Sequence, residues 1–148
     1  MASNTGQALS TDPELIIESL EWIAERHSDL VPLVYGRFYT HYPDARTMFG
    51  RDEHRVHQGH MFNGMLMAVI EHAEGRCAPG SIDAWVIDHD LWGVKKAMYR
   101  VMFDALHETI RECMGERWNA SFSKAWETHI YGLADEFEQA CDKSRLGT

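Results

Sequence analysis

The chain has 148 residues, enough for one domain around a single core, and is 45% hydrophobic and 25% charged. Its formal net charge of -9 argues against nonspecific binding to nucleic acid or to an anionic membrane surface. No apolar run reaches the length of a membrane span, no basic-then-apolar leader opens the chain, and Cys77, Cys113 and Cys141 are far apart with no CxxC pair, a pattern that fits free thiols in a cytoplasmic setting.

In chain order the pattern is helical throughout, without an Asn-Gly hairpin signal, a strand-like alternation or an internal repeat. Residues 1–10 and 143–148 are expected to be flexible ends of one domain spanning 11–142. Thr11-Asp12-Pro13-Glu14 places a cap residue, a first-turn proline and a carboxylate three positions on, which predicts a helix carrying Ile16, Leu20 and Ile23 on one stripe. Ser28-Asp29 opens a second helix with Leu33, Val34, Phe38 and Tyr39. Pro43 opens a short helical turn that ends near Phe49-Gly50, and Arg51–His54 reads as a polar corner. A long helix from about Glu53 to His72 buries Met61, Phe62, Met65, Ala68 and Val69, and Gly75 and Pro79-Gly80 break it. Ser81-Ile82-Asp83 starts a short helix with Trp85 and His89, which Gly93 ends. Lys95–Met114 follows, with Met98, Met102, Ala105, Leu106 and Ile110 inward, closed by Gly115. The last helix runs from about Asn119 to Cys141 with Phe122, Trp126, Ile130, Leu133 and Phe137 inward.

Phosphate loops, dinucleotide fingerprints, nucleophile elbows and HExxH are absent, so the chemistry-bearing residues are the nine histidines. His54, His57 and His60 stand three apart on one helix, each turned about 60° from the last. His57, four before Met61, falls on the buried face, and His60 leans to the flank. Two readings are open: surface and core-edge side chains, or part of a metal site, since neutral imidazole binds metals. Zinc would need further ligands, and no second cluster with suitable spacing supplies them. His89 follows Trp85-Val86-Ile87 and precedes Leu91-Trp92-Gly93-Val94. It reads either as a helix-capping histidine or as a metal ligand among apolar neighbours.

From about Leu15 to Cys141 the chain resembles the globin family, most of all the single-domain bacterial globins and the haem domain of flavohaemoglobins. Pro43 and Phe49 resemble, in kind and separation, the proline that opens the family's third helix and the phenylalanine that wedges against the haem. His89-Asp90-Leu91-Trp92-Gly93-Val94 resembles the HxxxGV segment whose histidine binds the iron, and Tyr99 matches a tyrosine near that ligand. Asp104-Ala105-Leu106, Gly115-Glu116-Arg117-Trp118, Ala125-Trp126 and Leu133-Ala134 resemble the last two helices.

The resemblance implies about seven helices in a three-over-three sandwich around haem b (iron protoporphyrin IX). It implies His89 as proximal ligand, with Tyr35, Phe49, His57, Met61, Trp85, Val94 and Tyr99 around the cofactor. On the distal side it puts Tyr35 on the second helix, His57 at the gate and Met61 over the iron. A register one residue later would make Gln58 and Phe62 the distal pair. Two positions depart from the family: Ile130, with Tyr131 beside it, stands where a tyrosine is common, and Cys141 stands where flavohaemoglobins place a glutamate. The proximal hydrogen-bond network that raises the basicity of the ligand is then incomplete.

Oxygen, nitric oxide or carbon monoxide is the implied gas ligand, and donors from Tyr35 and His57 would slow its release. His57 reaching the sixth iron position would instead give a bis-histidine resting state. An enzymatic alternative turns nitric oxide into nitrate and needs a separate reductase, since the chain has no room for a reductase domain. A sensor would act through a partner or a dimer interface, so monomer and homodimer are both open. A haem-free helical domain would leave the joint presence of His89, Phe49 and Tyr35 without a purpose.

Overall fold

Thr11 opens the first helix of the computed structural model as its sequence predicts. Its hydroxyl accepts from the Glu14 N–H, and the Glu14 carboxylate accepts from the Thr11 N–H at 2.8 Å, closing the capping box of α1 (Asp12–Ala24). The structure describes residues 10–49, 56–78 and 80–146. The expected polar corner with His54, Pro79, and the ends at 1–9 and 147–148 lie outside the described residues. So does the side chain of Phe49.

The second helix, α2 (Val31–His41), starts later than Ser28-Asp29 suggests, because the Asp29 carboxylate accepts the Val31 N–H at 3.0 Å and caps from outside. A 3-10 helix (Pro43–Phe49) follows where the proline predicts a turn. Then come α3 (Val56–Glu74), α4 (Ser81–Leu91), α5 (Lys96–Met114), a short 3-10 turn (Gly115–Arg117) and α6 (Ala120–Leu146). Asn119 caps α6 by accepting the Phe122 N–H at 3.1 Å. The last helix outruns its expected end near Cys141. Lys96 pairs with Asp142, and Lys143 reaches Asp83 of α4 at 3.1 Å, so charged side chains carry the helix past the apolar stripe.

Among the described residues the fold is all-α, with no strand, and no helix is long and apolar enough to cross a membrane. The core forms around α6, which packs against α1, α3, α4 and α5. Every residue expected inward on α6, from Phe122 to Phe137, is buried, and so are Ile16 and Ile23 of α1, Val34 of α2 and Leu106 and Ile110 of α5. Trp126 is fully buried, and its indole N–H donates to the Ser19 hydroxyl at 2.9 Å, which donates to the Ile16 carbonyl at 2.7 Å. This relay satisfies both buried polar groups and fixes α1 against α6. Two residues expected on buried stripes are exposed instead: Leu33 and Met61. Leu33 lies on the outer side of α2, where the packed stripe is Val34, Phe38 and Tyr39. Met61 opens onto the cavity described next.

Candidate functional site

The reversal between α4 and α5 builds the site. Trp92, Gly93 and Val94 N–H groups bond back to the His89 and Asp90 carbonyls, and Gly93 takes φ +86°, which a side chain would resist. The chain therefore turns sharply just past His89 and brings Val94, Met98 and Tyr99 to the same wall as His89 and Trp85.

That wall and the facing one, from α2 and α3, enclose an apolar cavity of about 320 Å³. This is within the size range of small-ligand sites, and most of the lining is methionine and aromatic. Tyr35 and Phe38 come from α2, Met48 from the 3-10 helix, and His60, Met61, Gly64 and Met65 from α3. Trp85, Asp88 and His89 of α4, Val94, Met98, Tyr99, Met102 and Phe103 on the α5 side, and Phe137 of α6 complete it.

His89 has a defined tautomer. Its Nδ1 lies 2.7 Å from the Trp85 carbonyl oxygen, which can only accept, so Nδ1 carries the proton. Nε2 is left with its lone pair, the form in which imidazole binds a metal. Among the described residues no hydrogen bond engages that nitrogen. The ring sits edge-on to Tyr99 with centroids 6.1 Å apart.

Tyr99 is itself 8% exposed and stacks on Phe137 at 5.0 Å. Its hydroxyl is buried with no hydrogen-bond partner among the described residues. Burial, with Cys141 beside it, pushes the phenol far above its ordinary value and keeps it neutral. Cys141 offers no carboxylate there. Tyr131 points elsewhere: its hydroxyl donates to Asp104 at 2.7 Å.

Of the residues singled out from sequence, Tyr35, Met61, Trp85, His89, Val94 and Tyr99 all line this cavity. His57 does not: it is exposed and stands outside the lining. On the helix it shares an angular sector with Met61 and Gly64, but it lies one turn, about 6 Å, nearer the N-terminus. His60, read from sequence as a flank residue, lines the cavity instead. The lining band 60-61-64-65 has the i, i+4 spacing that would have identified it. Gln58 and Phe62, the pair of the alternative register, stand outside the lining as well. Asp88, beside His89, adds a carboxylate that the sequence reading did not single out. Among the described residues, which include His57 and His60 but not His54, no group of three or more His, Cys, Asp or Glu is placed to hold a metal ion.

No protein-family model matches the chain.

Proposed function

We propose that the chain is a globin-type haem protein that binds oxygen or another diatomic gas, with His89 as the proximal iron ligand. The observation that carries this reading is the 2.7 Å bond from His89 Nδ1 to the Trp85 carbonyl in the wall of an apolar cavity. Such a bond fixes the tautomer and ring orientation of a metal-binding histidine and raises its basicity. The surroundings suit a flat apolar cofactor: methionines and aromatic rings from two facing walls, and one orphaned phenol at Tyr99.

Haem, held by His89, would supply an iron centre able to take a small gas ligand. The residues of the chain do the rest. Met65, Met98, Met102, Phe103 and Phe137 exclude water from the cavity. Tyr35, 2% exposed on the facing wall, is the hydroxyl nearest in kind to a hydrogen-bond donor for a polar ligand, worth about 0.5–1.5 kcal/mol. His60 lines the cavity, and His57 precedes it by three residues on the same helix.

The test is a visible spectrum of the purified protein after haemin addition, then reduction and carbon monoxide. The expected result is an intense Soret band that shifts with carbon monoxide in the wild type and fails to form stably in His89→Ala. A wild type that leaves haemin unbound would overturn the reading. Tyr35→Phe is expected to speed oxygen release. The ferrous spectra of His57→Ala and His60→Ala show which imidazole, if either, occupies the sixth iron position.

A further inference from the structure

Outside the cavity lining, four side chains from three helices form one line. The His129 Nε2 of α6 lies 2.8 Å from the Asp12 carboxylate of α1. Its Nδ1 lies 2.8 Å from Nδ1 of His72, near the end of α3. The His72 Nε2 in turn lies 3.4 Å from the Glu136 carboxylate of α6. The two rings meet edge-on with centroids 5.0 Å apart and are largely buried, at 22% and 12% side-chain exposure for His72 and His129. Asp12 and Glu136 are the charged groups facing the pair from the elements packed on it, and the Cys77 thiol, in the loop after α3, faces Glu136.

The helix opposite is shaped for this ring. Gly132 sits inside α6, where glycine costs about 1 kcal/mol relative to alanine. A Cβ there would stand 2.9 Å from the Cε1 of His72 and 3.1 Å from its Nε2, closer than packed carbons come. The missing side chain is the space the imidazole occupies.

Proton counting on this geometry sets a ceiling on its charge. Carboxylates only accept, so the His129 Nε2 carries a proton toward Asp12. The middle contact needs one proton between two Nδ1 atoms. Two ring protons, on two neutral imidazoles, therefore make both hydrogen bonds. A third, on the His72 Nε2, gives the pair one positive charge and strengthens the 3.4 Å contact with Glu136. With one more, two N–H groups face each other and the middle bond is lost.

We propose that His72 and His129 share a single proton and act as a pH-sensitive latch tying α3 to α1 and α6. The middle bond holds on the neutral and on the singly charged pair, and double protonation opens it. Burial, the largest influence, holds the His72 imidazole below its ordinary value; Glu136 opposes the shift and His129 adds to it. Stability from such a group is present above the unfolded imidazole value and is lost as pH falls through the lower folded value. α3 is also a wall of the cavity through His60, Met61, Gly64 and Met65, so the latch anchors the far end of that wall.

The test uses the full chain without added ligand. In proton-detected NMR of the imidazole carbons and nitrogens, both rings are expected to report the same two titration steps, more than about one pH unit apart. Two independent single curves would overturn the proposal. Hydrogen exchange is the second measurement. After correction for intrinsic rates, amides in the last two turns of α3 are expected to exchange about 10-fold faster in His129→Gln than in wild type near neutral pH. Gly132→Ala, which gains helix propensity yet fills the ring's space, is expected to speed the same amides. Unchanged protection in both variants would overturn the latch. If neither variant folds, the wild-type titration decides alone.

Discussion

α4 and α6 are built from similar materials and use them in opposite ways. Each carries one tryptophan among aliphatic side chains. On α6, Trp126, Ile130 and Leu133 are entirely enclosed, and the indole N–H of Trp126 is bonded. On α4 only Val86 is buried. Trp85 stays 38% exposed at the cavity, and Ile87, Leu91 and the following Trp92 face outward. Apolar residues on every side of a surface helix are not what folding alone requires. The difference separates two jobs: α6 supplies the packing that holds the molecule together, and α4 supplies one wall of the cavity through Trp85, Asp88 and His89.

The sharpest way to break that comparison is to truncate one tryptophan from each helix in the ligand-free protein. Trp126→Ala removes a fully enclosed ring and the indole bond to the Ser19 hydroxyl, so a loss of about 3–5 kcal/mol is expected in chemical denaturation. Trp85→Ala removes a ring that already touches solvent and is expected to cost well under half as much. Equal losses would mean that α4 is as much a part of the folding core as α6. The same two variants should exchange rank when haemin retention is measured, because Trp85 lines the cavity and Trp126 does not.

Next in size is His89→Ala, expected to speed haemin loss by more than about 100-fold, since altering even the supporting partners of a metal ligand costs 10–100-fold. Its effect on ligand-free stability should be small, because the ring is only partly buried and makes a local bond within its own helix. Large destabilisation without any change in haemin loss would assign His89 to helix structure instead.

The fold was legible wherever a local device dictates backbone geometry. The capping box at Thr11, the turn at Pro43 and the breaks at Gly80, Gly93 and Gly115 depend on a few adjacent residues, and all stand where the sequence puts them. The inward stripe of α6 was legible for a different reason: its apolar spacing continues over more than four turns, which leaves a single phase. α3 was harder. Phe62, Met65, Ala68 and Val69 are buried as their spacing predicts, but the first turns of α3 are not fixed by local spacing: His57 and Met61 are exposed, and His60 rather than His57 lines the cavity. The His72–His129 pair was not legible at all. Its members are 57 positions apart, and only the packing of α3 on α6 beside Gly132 brings them together.

A smaller effect is expected from Tyr99→Phe. The hydroxyl is buried without a partner, and such a group costs about 1–3 kcal/mol when left unmade. Removing it while keeping the ring's stack on Phe137 should leave the ligand-free protein as stable as before or up to about 1 kcal/mol more stable. A clear loss in denaturant titration would show that the hydroxyl is already satisfied, and would remove it from the features that set the cavity side apart.

The smallest expected effect belongs to the packed side, and it concerns His107 of α5. It is 9% exposed, lies edge-on to Trp118 and Tyr131, and its Nε2 is buried with no hydrogen-bond partner among the described residues. Burial is the main cause that holds this imidazole below its ordinary value of 6.5. A group lowered in the folded state binds fewer protons there than in the unfolded chain. Its contribution is therefore intact above about pH 6.5 and is lost as pH falls through the lower folded value. His107→Gln, which cannot charge, should flatten the fall of the melting temperature between pH 7 and 5 while leaving haemin binding unchanged, because His107 is no part of the cavity lining. A variant whose melting temperature falls as steeply as the wild type's would move the acid sensitivity to other groups, the His72–His129 pair foremost. Comparing His107→Gln with His129→Gln then divides the acid response between a ring whose Nε2 nothing meets and a pair whose middle bond survives one added proton but not two.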